Sequence, residues 1–113
     1  MKEKKQNLYE GMFILSASLT DDARQRALDK IITSITTQKG EILKMHDQGR
    51  RRLAYPIGGK RDGHYYILYF TVDPALVTKL WQDFHHNEDL MRFMTVVVEE
   101  VMEEIKFKTL VEQ

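Results

Sequence analysis

Cysteine is absent from the 113-residue chain, which excludes a disulfide scaffold, a thiolate zinc site and a cysteine nucleophile together and suits a reducing compartment. No stretch approaches the ~18 consecutive apolar residues of a membrane span. The lysine-rich start, Met1 to Asn7, has no apolar region behind it, so it does not read as a secretory signal and a cytoplasmic location is expected. Net charge is missing as well, since 17 Lys and Arg balance 17 Asp and Glu. Nucleic-acid binders are usually basic overall. No GxSxG elbow, Walker loop or GxGxxG motif occurs, and there is no internal repeat or low-complexity linker.

What is present suits one domain. A chain of this length buries roughly two-thirds of its unfolded surface, enough for a core without metals or disulfides. Hydrophobic content of 42% with 30% charged residues is ordinary for a globular protein. Leu8 to Leu15 reads as a strand. Thr20 then offers an N-cap, with Asp21 and Asp22 in the first turn where the helix dipole favours acids. Leu28, Ile31, Ile32 and Ile35 recur at helical spacing to about Gln38, and Gly40 stands where a glycine cap belongs. Glu41 to Ile57 reads as a long strand with a bulge or bend at Gly49, and Pro56 assigns it, or at least its end, to a sheet edge. Gly58-Gly59 and Asp62-Gly63 punctuate a hairpin loop. Tyr65 to Val72 is a strand, and Asp73-Pro74 starts a second helix with Val77, Leu80, Trp81 and Phe84 as its core stripe. Met91 to Val98 forms the last strand.

This order, strand-helix-strand-strand-helix-strand, defines an α+β class: a ferredoxin-like βαββαβ domain, a four-stranded antiparallel sheet with two helices on one face. The expected strand order is four-one-three-two, with the other sheet face free. Residues 1–99 make the domain and residues 100–113 a charged tail, or a frayed helix from about Glu99.

Catalysis finds no support. His85 and His86 are adjacent, hence about 100° apart on a helix and unable to chelate together, while His46 and His64 lie elsewhere. Gly58-Gly59-Lys60 has too few glycines and no helix behind it to cradle phosphate. No metal or cofactor is expected.

The distribution of charge is more informative than its total. Between Arg50 and Arg61 stand Arg50, Arg51, Arg52, Lys60 and Arg61 with no acid, whereas the end of the chain carries Glu99, Glu100, Glu103, Glu104 and Glu112 against Lys106 and Lys108. Charges on an edge strand commonly just prevent aggregation, a task that one or two lysines fulfil. Three consecutive arginines exceed it, and arginine binds phosphate in a fork and stacks on bases. Strand alternation places Arg50 and Arg52 on one side and Arg51 on the other. Tyr65, Ile67 and Tyr69 share one face of their strand, opposite Tyr66, Leu68, Phe70 and Val72. If the second set packs under the helices, the first lies on the open face. Exposed aromatics there would resemble an RNA-recognition motif, but Asp62 replaces the leading basic residue of that motif and Tyr65 its small one. Packing among themselves, or against the tail, is the better reading.

The run Gly49-Arg50-Arg51-Arg52-Leu53-Ala54-Tyr55-Pro56-Ile57 resembles the G-x-R-R-L-A-Y-P-I segment of the bacterial small-subunit ribosomal protein six family. Tyr9-Glu10, Gly40, Gly63-His64-Tyr65-Tyr66 and Arg92-Phe93-Met94 resemble other family anchors in order and spacing, so the likeness covers about residues 8 to 99. It implies a structural role: binding the central domain of small-subunit rRNA as a pair with ribosomal protein eighteen, with no membrane or small-molecule partner. On this resemblance Arg50, Arg51, Lys60, Arg61, Arg92 and Lys5 approach RNA, and Arg52, Leu53, Tyr55 and Pro56 meet protein eighteen. Met91 stands where the first of an arginine pair is common, and Asn7 and Leu8 where some members carry arginines. Joint binding with a basic partner also explains the balanced charge. Two other readings of the fold are an acylphosphatase-like or small-molecule-binding domain and a homodimer through the open sheet face. The first would want a phosphate-cradling loop after strand one, and Ser16-Ala17-Ser18 lacks its glycines and arginine.

Overall fold

A computed structural model describes residues 6–103. Its elements are β1 (Asn7–Ser16), α1 (Asp21–Thr37), β2 (Glu41–Ile57), β3 (Lys60–Val72), a 3₁₀ turn (Pro74–Leu76), α2 (Val77–His85) and β4 (Leu90–Val97). The four strands form one sheet in the order β2-β3-β1-β4, and every neighbouring pair is antiparallel. This is the expected ferredoxin-like order, with β2 and β4 as edges. Pro56, which lacks an N–H for the ladder, indeed lies near the end of an edge strand.

The helices cover one face because the sequence supplies them with matching apolar stripes. Ala27, Leu28, Ile31 and Ile35 of α1 and Val77, Leu80 and Phe84 of α2 are buried against Tyr9, Phe13 and Leu15 of β1 and Tyr66, Leu68, Phe70 and Val72 of β3. Phe84 packs edge-on against Phe13 at 5.1 Å and Phe93 at 5.2 Å between ring centroids, the offset geometry that aromatic quadrupoles favour. At the start of α1 the Thr20 hydroxyl accepts from the Ala23 N–H at 3.1 Å, as an N-cap should.

Several expectations are corrected. The left-handed residue after α1 is Lys39 (φ 65), not Gly40. Gly40 is required instead by close approach, since a Cβ there would lie 2.6 Å from the Thr71 carbonyl oxygen. The second helix opens as a 3₁₀ turn capped by Asp73, whose carboxylate accepts from the Ala75 N–H at 2.9 Å. Trp81 is 41% exposed and not in the core stripe; it flanks the core and its indole N–H donates to the Thr95 hydroxyl at 3.1 Å, which satisfies its polar edge. The hairpin between β2 and β3 is tighter than expected. Gly58 (φ 58) and Gly59 (φ 80) alone make the turn, the two-residue positive-φ geometry whose twist matches the flanking strands. Lys60 and Arg61 therefore lie on β3 and not in a loop.

The second face of the sheet is free only on its β4 side, where Met94 and Val96 are exposed. Tyr65, Ile67 and Tyr69 do point to this face, but they are buried. One end is covered by Leu53, which packs with Ile14 and Tyr65. Towards the other end, the segment after β4 crosses to β2: the Met102 carbonyl meets His46 Nε2 at 2.8 Å and Glu103 pairs with Lys44 at 3.0 Å. These aromatics are core, not a stacking platform.

Candidate nucleic-acid and partner interface

The arginine run is aimed by a bulge. At Gly49 (φ 78) the β2–β3 register shifts, and Asp47 accepts from the Gly49 N–H at 2.9 Å to hold the kink. Beyond it Arg50 opposes His64, Arg51 opposes Gly63 and Arg52 opposes Asp62. The expected alternation follows: Arg50 and Arg52 are exposed, while Arg51 is half-buried.

Arg50 lies on the side of His64, whose ring stacks on Tyr66 at 4.8 Å, so this is the helix-bearing face. Its guanidinium is held by Asp62 at 3.0 Å. A cleft of about 250 Å³ beside it is lined by Ala17, Ser18, Arg50, Lys60, Arg61 and Asp62. Three of the predicted RNA-binding cations thus border one cleft, together with the acid Asp62 that directly follows the basic run.

Arg51 and Arg92 gather on the other side. Between the Arg52–Asp62 and Ile57–Lys60 pairs, β2 carries Leu53, Ala54, Tyr55 and Pro56 against Arg61 alone. The surplus chain must leave the ladder. Leu53 turns into the sheet and is 6% exposed, in the small cluster with Ile14 and Tyr65. Gly63 makes room for this cluster, because a Cβ there would lie 2.4 Å from Ile14 Cγ2. Ala54, Tyr55 and Pro56 stay exposed. Tyr55 then meets Arg92 of β4, although β3 and β1 lie between their strands. The Arg92 Nη1 donates to the Tyr55 hydroxyl at 2.5 Å, and the guanidinium carbon is 5.3 Å from the centre of its ring. Burial pushes the Tyr65 hydroxyl above its ordinary pKa, while the charges of Arg51 and Arg92 pull against that shift.

The predicted residues therefore form two groups on opposite faces of one sheet end. Arg50 and Lys60 make one; Arg51, Arg92 and Tyr55 make the other, with Leu53 beneath them, and Arg61 borders the cleft beside the hairpin. Lys5 lies outside the described residues, as does the tail beyond Glu103. Sequence reasoning missed the contact of Tyr55 with Arg92 and the pairing of Arg50 with Asp62. The second was signalled by Asp62 directly after the basic run; nothing local signalled the first.

Three of the four histidines make structural contacts. His64 bonds Asp47 at 2.7 Å, His46 meets Met102 and His85 packs on Phe93. Among the described residues no three His, Asp or Glu side chains converge as a metal site. Fold and surface together define a small split-βαβ domain with a basic sheet end.

The family model described as ribosomal protein S6 matches residues 8–97. The small ribosomal subunit protein bS6 of Protochlamydia amoebophila is 59% identical over 113 residues, covering 100% of this chain and 99% of that one. Its counterpart in Chlamydia caviae is 51% identical over 112 residues, or 99% and 100% of the two chains. The crystal structure of 30S ribosomal protein S6 from Thermotoga maritima superposes with a TM-score of 0.78 at 26% identity, over 83% of this chain and 89% of that one. The chain belongs to the ribosomal protein S6 family. It is a structural protein of the small ribosomal subunit in the cytoplasm, not an enzyme.

Proposed function

We propose that this protein binds the central domain of small-subunit rRNA jointly with ribosomal protein eighteen, through the basic end of its sheet. The observation that carries the reading is the segment Arg50–Pro56 of the edge strand β2, which presents Arg50, Arg52, Tyr55 and Pro56 to solvent. Arginine suits this task because its planar fork meets phosphate oxygens in pairs. Arg50, Arg51, Lys60, Arg61 and Arg92 are assigned to RNA, with Lys5 as a further cation. Arg52, Tyr55 and Pro56 are assigned to protein eighteen. Leu53 contributes from beneath, since its side chain is spent on Ile14 and Tyr65.

A modest number of exposed arginines on a chain of zero net charge suits a protein that shares its RNA with a basic partner. By composition residues 100–113 read as a charged tail, and its first residues, Met102 and Glu103, lie against His46 and Lys44 of β2. The deciding measurement is binding to a central-domain rRNA fragment, with and without protein eighteen, across a salt series. Tight binding only with the partner, weakening as salt rises through the loss of counterion release, is the expected result. No binding under either condition overturns the reading.

A further inference from the structure

Arg92 and Tyr55 come from opposite edges of the sheet, yet they are in direct contact, with a 2.5 Å hydrogen bond and the guanidinium 5.3 Å from the ring centre. Resting on the joint binding proposed above, we propose that Tyr55 is a positioning residue for Arg92: its hydroxyl fixes the guanidinium for an RNA phosphate, so the partner-facing bend and the RNA-facing strand work as one site.

Three features support this. Arginine has five N–H donors, so donating one from Nη1 to a phenol oxygen leaves the others for phosphate. The contact orients the group without occupying it. An exposed arginine otherwise gives up its rotamer freedom when it binds, and a side chain already held in place loses less. Tyr55 is also well placed to hold it, because its backbone is anchored on one side by buried Leu53 and followed by Pro56, whose ring fixes its own φ. Tyr55 remains 54% exposed, so a protein partner can cover it. Covering it immobilises the ring and, through the hydroxyl, Arg92. Partner binding then strengthens RNA binding, and by linkage RNA strengthens partner binding by the same factor.

The test uses the full chain with ribosomal protein eighteen and the central-domain fragment, comparing wild type, Tyr55→Phe, Arg92→Gln and the double variant. Tyr55→Phe keeps the ring for the partner and removes only the acceptor. Affinity for protein eighteen without RNA is measured for every variant, so that the RNA step of each preformed pair is read separately from pair formation. RNA affinity of the pair should fall about 2- to 10-fold, the cost of immobilising one long side chain that is no longer held in place. In the Arg92→Gln background the same change should cost nothing further. The dependence of log K on log salt should lose about one unit of slope with Arg92→Gln and none with Tyr55→Phe. Equal losses in both backgrounds, or no loss from Tyr55→Phe in a wild-type pair that binds RNA, would overturn the proposal. Failure of the wild-type pair to bind RNA sinks the joint-binding reading itself and is seen before any variant is made.

Discussion

Among single residues, Tyr69 has the most altered chemistry. It is fully buried, and its hydroxyl donates to the Glu10 carboxylate at 2.5 Å across the β1–β3 ladder. Burial first, and then the bond to Glu10, push its pKa from the ordinary 10.0 up to about 12. Between those values the unfolded chain has released a proton that the folded chain retains. The stability from this group is therefore complete below pH 10 and is lost as pH rises through about 12. Denaturant unfolding followed from neutral pH to pH 12 should show a fall in stability above pH 10 that is shallower in Tyr69→Phe. At neutral pH that variant should be less stable by about 1.5–3 kcal/mol, the cost of losing a hydrogen bond to a charged acceptor. An unchanged alkaline limb would show that Tyr69 does not set it. Lys39 and Gly40 illustrate a different residue-scale division of labour. The left-handed turn falls on a lysine, while the glycine is kept where the chain runs against the Thr71 carbonyl. A glycine near a helix end thus has two possible reasons, and only neighbouring strands distinguish them.

Elements here are tied together by polar contacts at the margins of apolar packing. β4 is an edge strand, joined to the sheet on one side by β1. On the helix side, Trp81 of α2 reaches down to Thr95 of β4. Because Trp81 is the sole tryptophan, its fluorescence reports directly on that junction. Trp81→Phe should destabilise the protein by about 1 kcal/mol through loss of the N–H donor, measured by denaturation monitored with circular dichroism. A loss near zero would mean that the indole bond merely replaces an equal bond to water. On the far side, the chain after β4 lies against β2 through His46 and Lys44. The Lys44–Glu103 pair is largely exposed at Glu103, so it contributes little beyond direction. Burial of Tyr69 and Ile67 between these elements is what makes the second face a core.

At the scale of the whole molecule, zero net charge conceals a division. β2, at 17 residues and ~3.3 Å per residue, spans on the order of 55 Å, comparable with the 50 Å long axis of the molecule. Its basic segment therefore lies towards one end, and strand alternation distributes the arginines to both faces there. Asp62 holds Arg50 within that segment. Asp62→Asn should release Arg50 and tighten RNA binding by the pair with ribosomal protein eighteen about 2- to 5-fold, with a steeper salt dependence, as expected for removing an exposed ion pair and one negative charge. Filter binding at several salt concentrations measures both. Weaker or unchanged affinity would place Arg50 away from the RNA.

The sequence by itself determined the order of elements, the faces of the helices and of β3, the edge position of β2 and the alternation of Arg50, Arg51 and Arg52. All of these follow from periods of 3.6 and 2 and from what proline lacks, which are local properties. Only the tertiary structure decided that Tyr55 meets Arg92, that Tyr69 bonds Glu10 and that the open face is covered over Tyr65, Ile67 and Tyr69. Each of those contacts joins residues distant in the chain, and the first depends on how many residues a bulge absorbs. The four residues of β2 set against Arg61 alone carry Tyr55 off the ladder and over the sheet. A local pattern specifies which side a residue faces; strand order and bulge length specify what waits for it there.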